Sequence, residues 1–121
     1  MNTIAWLGHW GEDEAARYLQ KRGLRLVERH FQTRWGEIDL ICRSKDTWVF
    51  VEVKTRSRSY QPSAADAITP AKQRKLINAA LSFIKKNRLE GHDFRFDVIL
   101  IEGNSIEWIP GAFEPSFPYT L

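Results

Sequence analysis

Residues 36–56 read GEIDLICRSKDTWVFVEVKTR, two runs of β-branched, aliphatic and aromatic residues joined by a polar Arg-Ser-Lys-Asp. Such runs read as strands and the joint as a hairpin turn. This stretch constrains the fold more than any other, because two apolar strands tied that closely must be antiparallel neighbours in a buried sheet. A two-residue turn at Lys45-Asp46 is the commonest kind of hairpin connection. It pairs Ser44 with Thr47 and, stepping back along both strands, sets Asp39 opposite Glu52 with Cβ atoms about 5 Å apart. Side chains alternate with period two, so Glu52 and Lys54 share a face, with Glu37 opposite Lys54. A longer or bulged turn would shift this register.

Two ionised carboxylates at that separation repel by about 3 kcal/mol at an effective dielectric of about 20. One compensation is a salt-bridged outer face, Asp39 and Glu37 with Lys54 and Glu52 with an arginine. The other is a divalent cation between the acids. Oxygen ligands suit Mg²⁺, which takes few protein ligands and keeps several waters. Lys54 beside the ion would orient or help deprotonate an attacking water, and the ion would stabilise charge developing on a phosphate. The apolar flanks and the basic Arg56 and Arg58 that follow at once speak for a site; the shortness of the pattern speaks for the salt-bridged face.

Upstream, residues 3–22 read as a helix stopped by Gly23, with Ala16 and Leu19 on its apolar stripe. Gly8 and Glu12 line the same stripe. Glu12 is therefore either an inward acid that small neighbours let close to the sheet, or a first-turn acid favoured by the helix dipole like Asp13 and Glu14. Residues 24–34 alternate loosely as a strand. Residues 57–68 have no periodicity and read as a mobile loop. Thr69 and Pro70 form a helix start, N-cap then first helical position. Leu76, Ile77, Ala80, Leu81 and Ile84 then make a core-facing stripe, with Lys72, Lys75 and Lys86 turned outward, and EGHD ends the helix. A buried strand over 94–103 turns back at Gly103-Asn104 into a short strand, SIEWIP, and the Pro-rich tail from about 110 is irregular. The chain of 121 residues suits one domain. Helix, three strands, helix, two strands make an α/β or α+β sandwich.

No apolar run approaches the roughly 18 residues that cross a bilayer, and the N-terminus lacks the pattern of a secretory signal. Cys42 is the single cysteine, which rules out an intrachain disulfide and a cysteine zinc cluster and fits a reducing cytoplasm. It reads as a buried small hydrophobe. The net charge is +3, and positive charge clusters in KTRSR, KQRK and KKNR, which are either solvated faces or phosphate-binding patches. His9, His30 and His92 show no ligand spacing. Trp6 and Trp10 form a helical pair for the core or a dimer face. Trp35, next to Arg34 and the acidic motif, is placed to stack on an unpaired base. Arg95 and Asp97 share a strand face as a structural pair bracing the sheet.

GHWGEDEAARYL, GEIDLI, VFVEVKTR and RFDVI, in this order and covering nearly the whole chain, resemble the YraN family, small bacterial proteins related to Holliday-junction resolvases. That family resembles the PD-(D/E)XK nuclease superfamily. The resemblance implies a restriction-endonuclease-like three-layer α/β sandwich, a central mixed sheet flanked by helices in the order α-β-β-β-α-β-β. It also implies a Mg²⁺- or Mn²⁺-dependent endonuclease acting on DNA, branched or damaged, with pairing of protomers as in related resolvases. Asp39 and Glu52 would be metal ligands, with the Val53 backbone oxygen and Glu12 joining them, and Lys54 catalytic. Glu37 and Gln73 are further candidates, and Arg34, Trp35, Arg56, Arg58, Lys72, Gln73 and Lys75 would contact nucleic acid. The chain departs from the family at His30-Phe31-Gln32, where members often carry Asn-x-Arg, and at Trp35, where they often have a small residue. A non-catalytic nucleic-acid-binding module and a protein-interaction domain built on the tryptophan-rich helix are the competing classes.

Overall fold

In the computed structural model the described residues are 3–56 and 68–115, with side chains described from residue 10 onward. Their elements are α1 (Thr3–Lys21), β1 (Arg25–Gln32), β2 (Glu37–Ser44), β3 (Thr47–Arg56), α2 (Pro70–Lys86), β4 (Asp93–Glu102) and β5 (Ser105–Phe113), in the expected order. The strands form one sheet in the order β1-β2-β3-β4-β5. Neighbours are antiparallel except β3 and β4, which run parallel. Short links return the chain antiparallel, whereas β3 leads into α2, and a parallel return needs such a crossover.

Both faces of the sheet are covered. On one, Phe31, Ile38, Phe50, Phe96, Val98 and Leu100 meet Leu76, Ile77, Ala80, Phe83 and Ile84 of α2. On the other, Leu40, Cys42, Val49, Val51, Ile99 and Ile101 meet Ala15, Ala16 and Leu19 of α1. The result is a three-layer α/β sandwich. Double-sided burial is why the central strands are continuous apolar runs instead of alternating ones. Phe83 anchors α2, its ring centre 5.3 Å from Phe31, 5.6 Å from Trp48 and 5.9 Å from Phe50.

The helix boundaries follow local chemistry. Gly23 closes α1 at φ 93°, and the Leu24 N–H returns to the Leu19 carbonyl at 3.1 Å. Thr69 caps α2 by accepting the Lys72 N–H at 3.2 Å, with Pro70 at the first helical position. Three expectations are corrected. Ala79 and Phe83 join the buried stripe of α2, while Leu81 is half-buried. That helix ends at Lys86, capped by Asn87, before the expected EGHD stop.

The third correction concerns the tail: β5 continues past Pro110 to Phe113. An edge strand tolerates proline, and Asp97 holds this one in place. Its carboxylate, 1% exposed, accepts the Trp108 indole N–H and the Gly111 backbone N–H, both at 2.9 Å. It also accepts two guanidinium bonds from Arg95 at 2.8 and 2.9 Å. The Arg95–Asp97 pair thus braces the sheet as expected, and it does so by tying β4 to β5. Residues 57–67 of the expected loop, Arg58 among them, lie outside the described residues.

Candidate active site

The β2–β3 hairpin turns at Lys45-Asp46, with Lys45 at φ 56°, and pairs Ser44 with Thr47 and so on down to Leu40 with Val51. That is the register a two-residue turn dictates. The next step differs from the expectation of a simple Asp39–Glu52 cross-strand pair: Asp39 Oδ2 accepts the Val53 backbone N–H at 2.8 Å. On the other side of β2, His30 lies between the Arg29–Leu40 and Phe31–Ile38 pairs and has φ 53°. Side-chain alternation breaks at the same place, since Leu40 joins the α1-side core while Ile38 and Ile41 both join the α2-side core. The strands splay here, and a carboxylate takes up a ladder N–H that would otherwise lack a partner.

Side chains from five elements meet at this opening. Glu52, 6% exposed, receives the Lys72 ammonium of α2 at 2.6 Å. Lys54, two residues along β3 on the same face, feels Lys72, Glu52 and Asp39. Glu12 comes from the third turn of α1 and is 8% exposed; it stands 3.0 Å from His30 Nε2. Its approach depends on Gly11, where a Cβ would lie 3.3 Å from Thr55 Oγ1, so the small neighbour that matters here is Gly11. Glu12, Asp13 and Glu14 are mid-helix, which rules out the first-turn dipole role. Glu37 turns to His30 Nδ1 at 2.8 Å instead of facing Lys54.

The electrostatics record the crowding. Burial, then the charge of Glu52, then that of Glu12 push the Asp39 carboxyl up to about 8, against the pull of the Val53 N–H. Asp39 therefore holds its proton at neutral pH, and the protonated form can donate to Glu52. Burial and the neighbouring Lys72 lower the pKa of Lys54. Burial works against the Lys72 ammonium, but its bond to Glu52 outweighs this and raises its pKa. The Glu37 bond, opposed by burial and helped by Glu12, raises that of His30. With a carboxylate at each ring nitrogen, its imidazolium form donates in both directions.

Among the described residues no three His, Cys, Asp or Glu side chains form a ready metal cage. The donor chemistry nevertheless suits a hard divalent ion. Asp39 is buried beside the Glu52 carboxylate, with Glu12 a lesser influence, and burial first and the charge of Glu52 second make it keep its proton; Mg²⁺ or Mn²⁺ held by these oxygens would neutralise that charge. Lys72 plays the cation's part toward Glu52 meanwhile.

The remaining sequence candidates divide. Arg34 and Trp35 sit on the turn between β1 and β2, with the guanidinium 4.5 Å from the indole centre. The backbone and Cβ of Lys75 pack against Gly36 in that turn. Gln73 is drawn away from the acids: its amide donates to the Ile68 carbonyl at 3.2 Å. Arg56 pairs with Glu102 at 2.6 Å. Lys72, expected to face outward, turns into the acid cluster. His30 shows no ligand spacing yet belongs to the site; its one trace in the sequence is the polar run Glu28-Arg29-His30, where the alternation of β1 lapses.

A three-layer α/β protein with a mixed five-stranded sheet and a polar, acid-rich opening in its central hairpin is the class these features define. The profile described as "Uncharacterised protein family UPF0102" matches residues 11–101, and the chain belongs to that family, the same one as YraN. A UPF0102 protein of Dechloromonas aromatica is 48% identical over 112 residues, 93% of this chain and 92% of that one. One from Herminiimonas arsenicoxydans is 46% identical over 108 residues, 89% of this chain and 86% of its own. One from Photobacterium profundum is 52% identical over 98 residues, 78% of each.

Proposed function

We propose that this protein is a divalent-metal-dependent endonuclease that hydrolyses phosphodiester bonds in DNA, with branched or damaged DNA as its substrate. The observation that carries this reading is the burial of Asp39 beside Glu52 at the end of the β2–β3 pairing, which, with a smaller push from Glu12 of α1, raises Asp39 to about 8, with Lys54 two residues along from Glu52. Buried like charges collected at a cost to stability are a mark of functional sites. Bound Mg²⁺ or Mn²⁺ would supply Lewis acidity toward the phosphate and lower the pKa of a water. Asp39, Glu52, the Val53 carbonyl and Glu12 would hold it. Lys54 orients the attacking water and accepts its proton, aided by the lowered pKa. The water oxygen bonds to phosphorus, the P–O ester bond breaks, and the leaving oxygen takes up a proton. Arg34, Lys72 and Lys75 line the approach of the DNA backbone, and two protomers together would cut both strands.

A non-catalytic nucleic-acid-binding module is the second reading, favoured by the Lys72 ammonium resting on Glu52. Incubation with single-stranded, duplex, flap and four-way-junction DNA, in Mn²⁺ and in EDTA, separates the two. The nuclease yields product that vanishes in EDTA and in Asp39→Ala and Lys54→Ala. The binding module yields none, and its affinity falls with salt irrespective of metal.

A further inference from the structure

Trp35 is 44% exposed, although the turn that carries it is well built. Thr33 Oγ1 accepts the N–H groups of Trp35 and Gly36 at 3.1 and 3.2 Å, and the Thr33 N–H donates to the Gly36 carbonyl at 2.9 Å. The turn is also seated on α2, since a Cβ at Gly36 would stand 3.3 Å from Lys75 Cβ. The indole is therefore held out on a rigid mount instead of folding into the core. Between it and α2 lies a groove of about 280 Å³ lined by Trp35, Asn78, Leu81, Ser82 and Lys85.

The chemistry of this groove is specific. An aromatic face stacks on any base. Asn78 offers a donor and an acceptor to a base edge, Ser82 offers a hydroxyl, and Lys85 offers a charge to phosphate. Arg34, over the indole ring, adds a second cation. A neutral apolar ligand would have no use for Lys85 or Arg34; a polyanion carrying flat rings uses all of them. The groove is also in line with the acid cluster. Lys72 lies on Glu52, Lys75 lies at Gly36, and Asn78, Ser82 and Lys85 follow along the helix. A rise of 1.5 Å per residue places them about 9 to 20 Å beyond Lys72, a span of a few nucleotides.

We propose that the groove between the Thr33–Gly36 turn and α2 takes up one unpaired nucleobase of a DNA strand whose phosphate lies at the acid cluster. This rests on the nucleic-acid part of the proposed function and narrows its substrate to DNA frayed or single-stranded beside the scissile bond. A paired base cannot enter, because its faces are covered by neighbours in the duplex.

The test uses the full chain in EDTA, so that cleavage plays no part. Affinity is measured by fluorescence anisotropy for a blunt duplex and for the same duplex with a short single-stranded overhang carrying 2-aminopurine. The overhang should bind more tightly, with 2-aminopurine emission quenched. Trp35→Ala should weaken overhang binding by about 5- to 150-fold, the usual worth of one stacked base, and weaken blunt-duplex binding far less. Trp35→Phe should restore most of the difference. Unchanged overhang affinity and emission in Trp35→Ala overturn the proposal, as does an equal loss on both DNAs. Overhang binding that depends on Trp35 supports it even where Mn²⁺ yields no cleavage, in which case the nuclease reading alone fails. Absence of binding to either DNA by the wild type overturns both.

Discussion

Replacing Asp39 by asparagine isolates the crowding at the hairpin opening. The asparagine amide keeps both contacts: its oxygen can accept the Val53 N–H, now 2.8 Å from Asp39 Oδ2, and its NH₂ can donate to Glu52. It therefore copies the protonated aspartic acid and removes only the titration. In the wild type the ordinary value of 3.8 governs the unfolded chain, while the folded chain keeps its proton up to about 8. Between these limits the folded state binds one more proton than the unfolded state, so raising the pH takes stability away. The loss is complete above about 8, and the Asp39→Asn variant has no counterpart to it. The variant should match the wild type near pH 4 and gain on it steadily, by about 4 kcal/mol from about pH 5 to pH 8, levelling off beyond. Because Asp39 and Glu52 interact, this slope belongs to the pair. Urea unfolding of both proteins in EDTA at half-unit pH steps measures the gap. A gap that stays flat would mean an ordinary, well-solvated carboxylate, and the burial of Asp39 beside Glu52 would be wrong.

Lys72→Met should have effects of opposite sign. In EDTA it should cost about 1–3 kcal/mol by leaving buried Glu52 without its charged partner, whereas calorimetry should show Mn²⁺ binding at least about tenfold tighter once the ammonium no longer competes. Equal Mn²⁺ affinities would show that Lys72 does not share the cation's place. Asp97→Ala should destabilise the fold by about 3–5 kcal/mol, because Arg95, Trp108 and the Gly111 N–H lose one common acceptor; hydrogen exchange should locate the loosening in β5. The Cys42 thiol, 1% exposed and pushed up to about 12 by burial and by Asp97, should stay unreactive toward a disulfide reagent in the native state and react at once in urea. Native-state modification at the rate of a free thiol would contradict its burial.

Local chemistry is written in the sequence, and it was readable there. The Lys45-Asp46 turn, the Ser44–Thr47 register, the Thr69-Pro70 start of α2, the Gly23 stop and the turn at Gly103 each depend on a few adjacent residues. The element order followed from them, because apolar periodicity reports burial directly. The hairpin register down to Leu40–Val51 was accessible for the same reason, since a register is local information; the next step, where Asp39 accepts the Val53 N–H instead of simply facing Glu52, was not. Pro110 misled, because the bond that keeps β5 going beyond it comes from Asp97 on another strand.

What the tertiary structure alone decided was the company these residues keep. That Lys72 bends onto Glu52, that His30 links Glu12 to Glu37, and that Trp35 stands over α2 depend on how α1 and α2 pack on opposite faces of a sheet whose β2–β3 pairing ends at Leu40–Val51. Such contacts join residues up to tens of positions apart and leave no period in the chain. The sequence determined which segments form strands and helices and which of them are buried; packing determined which charges must share one space.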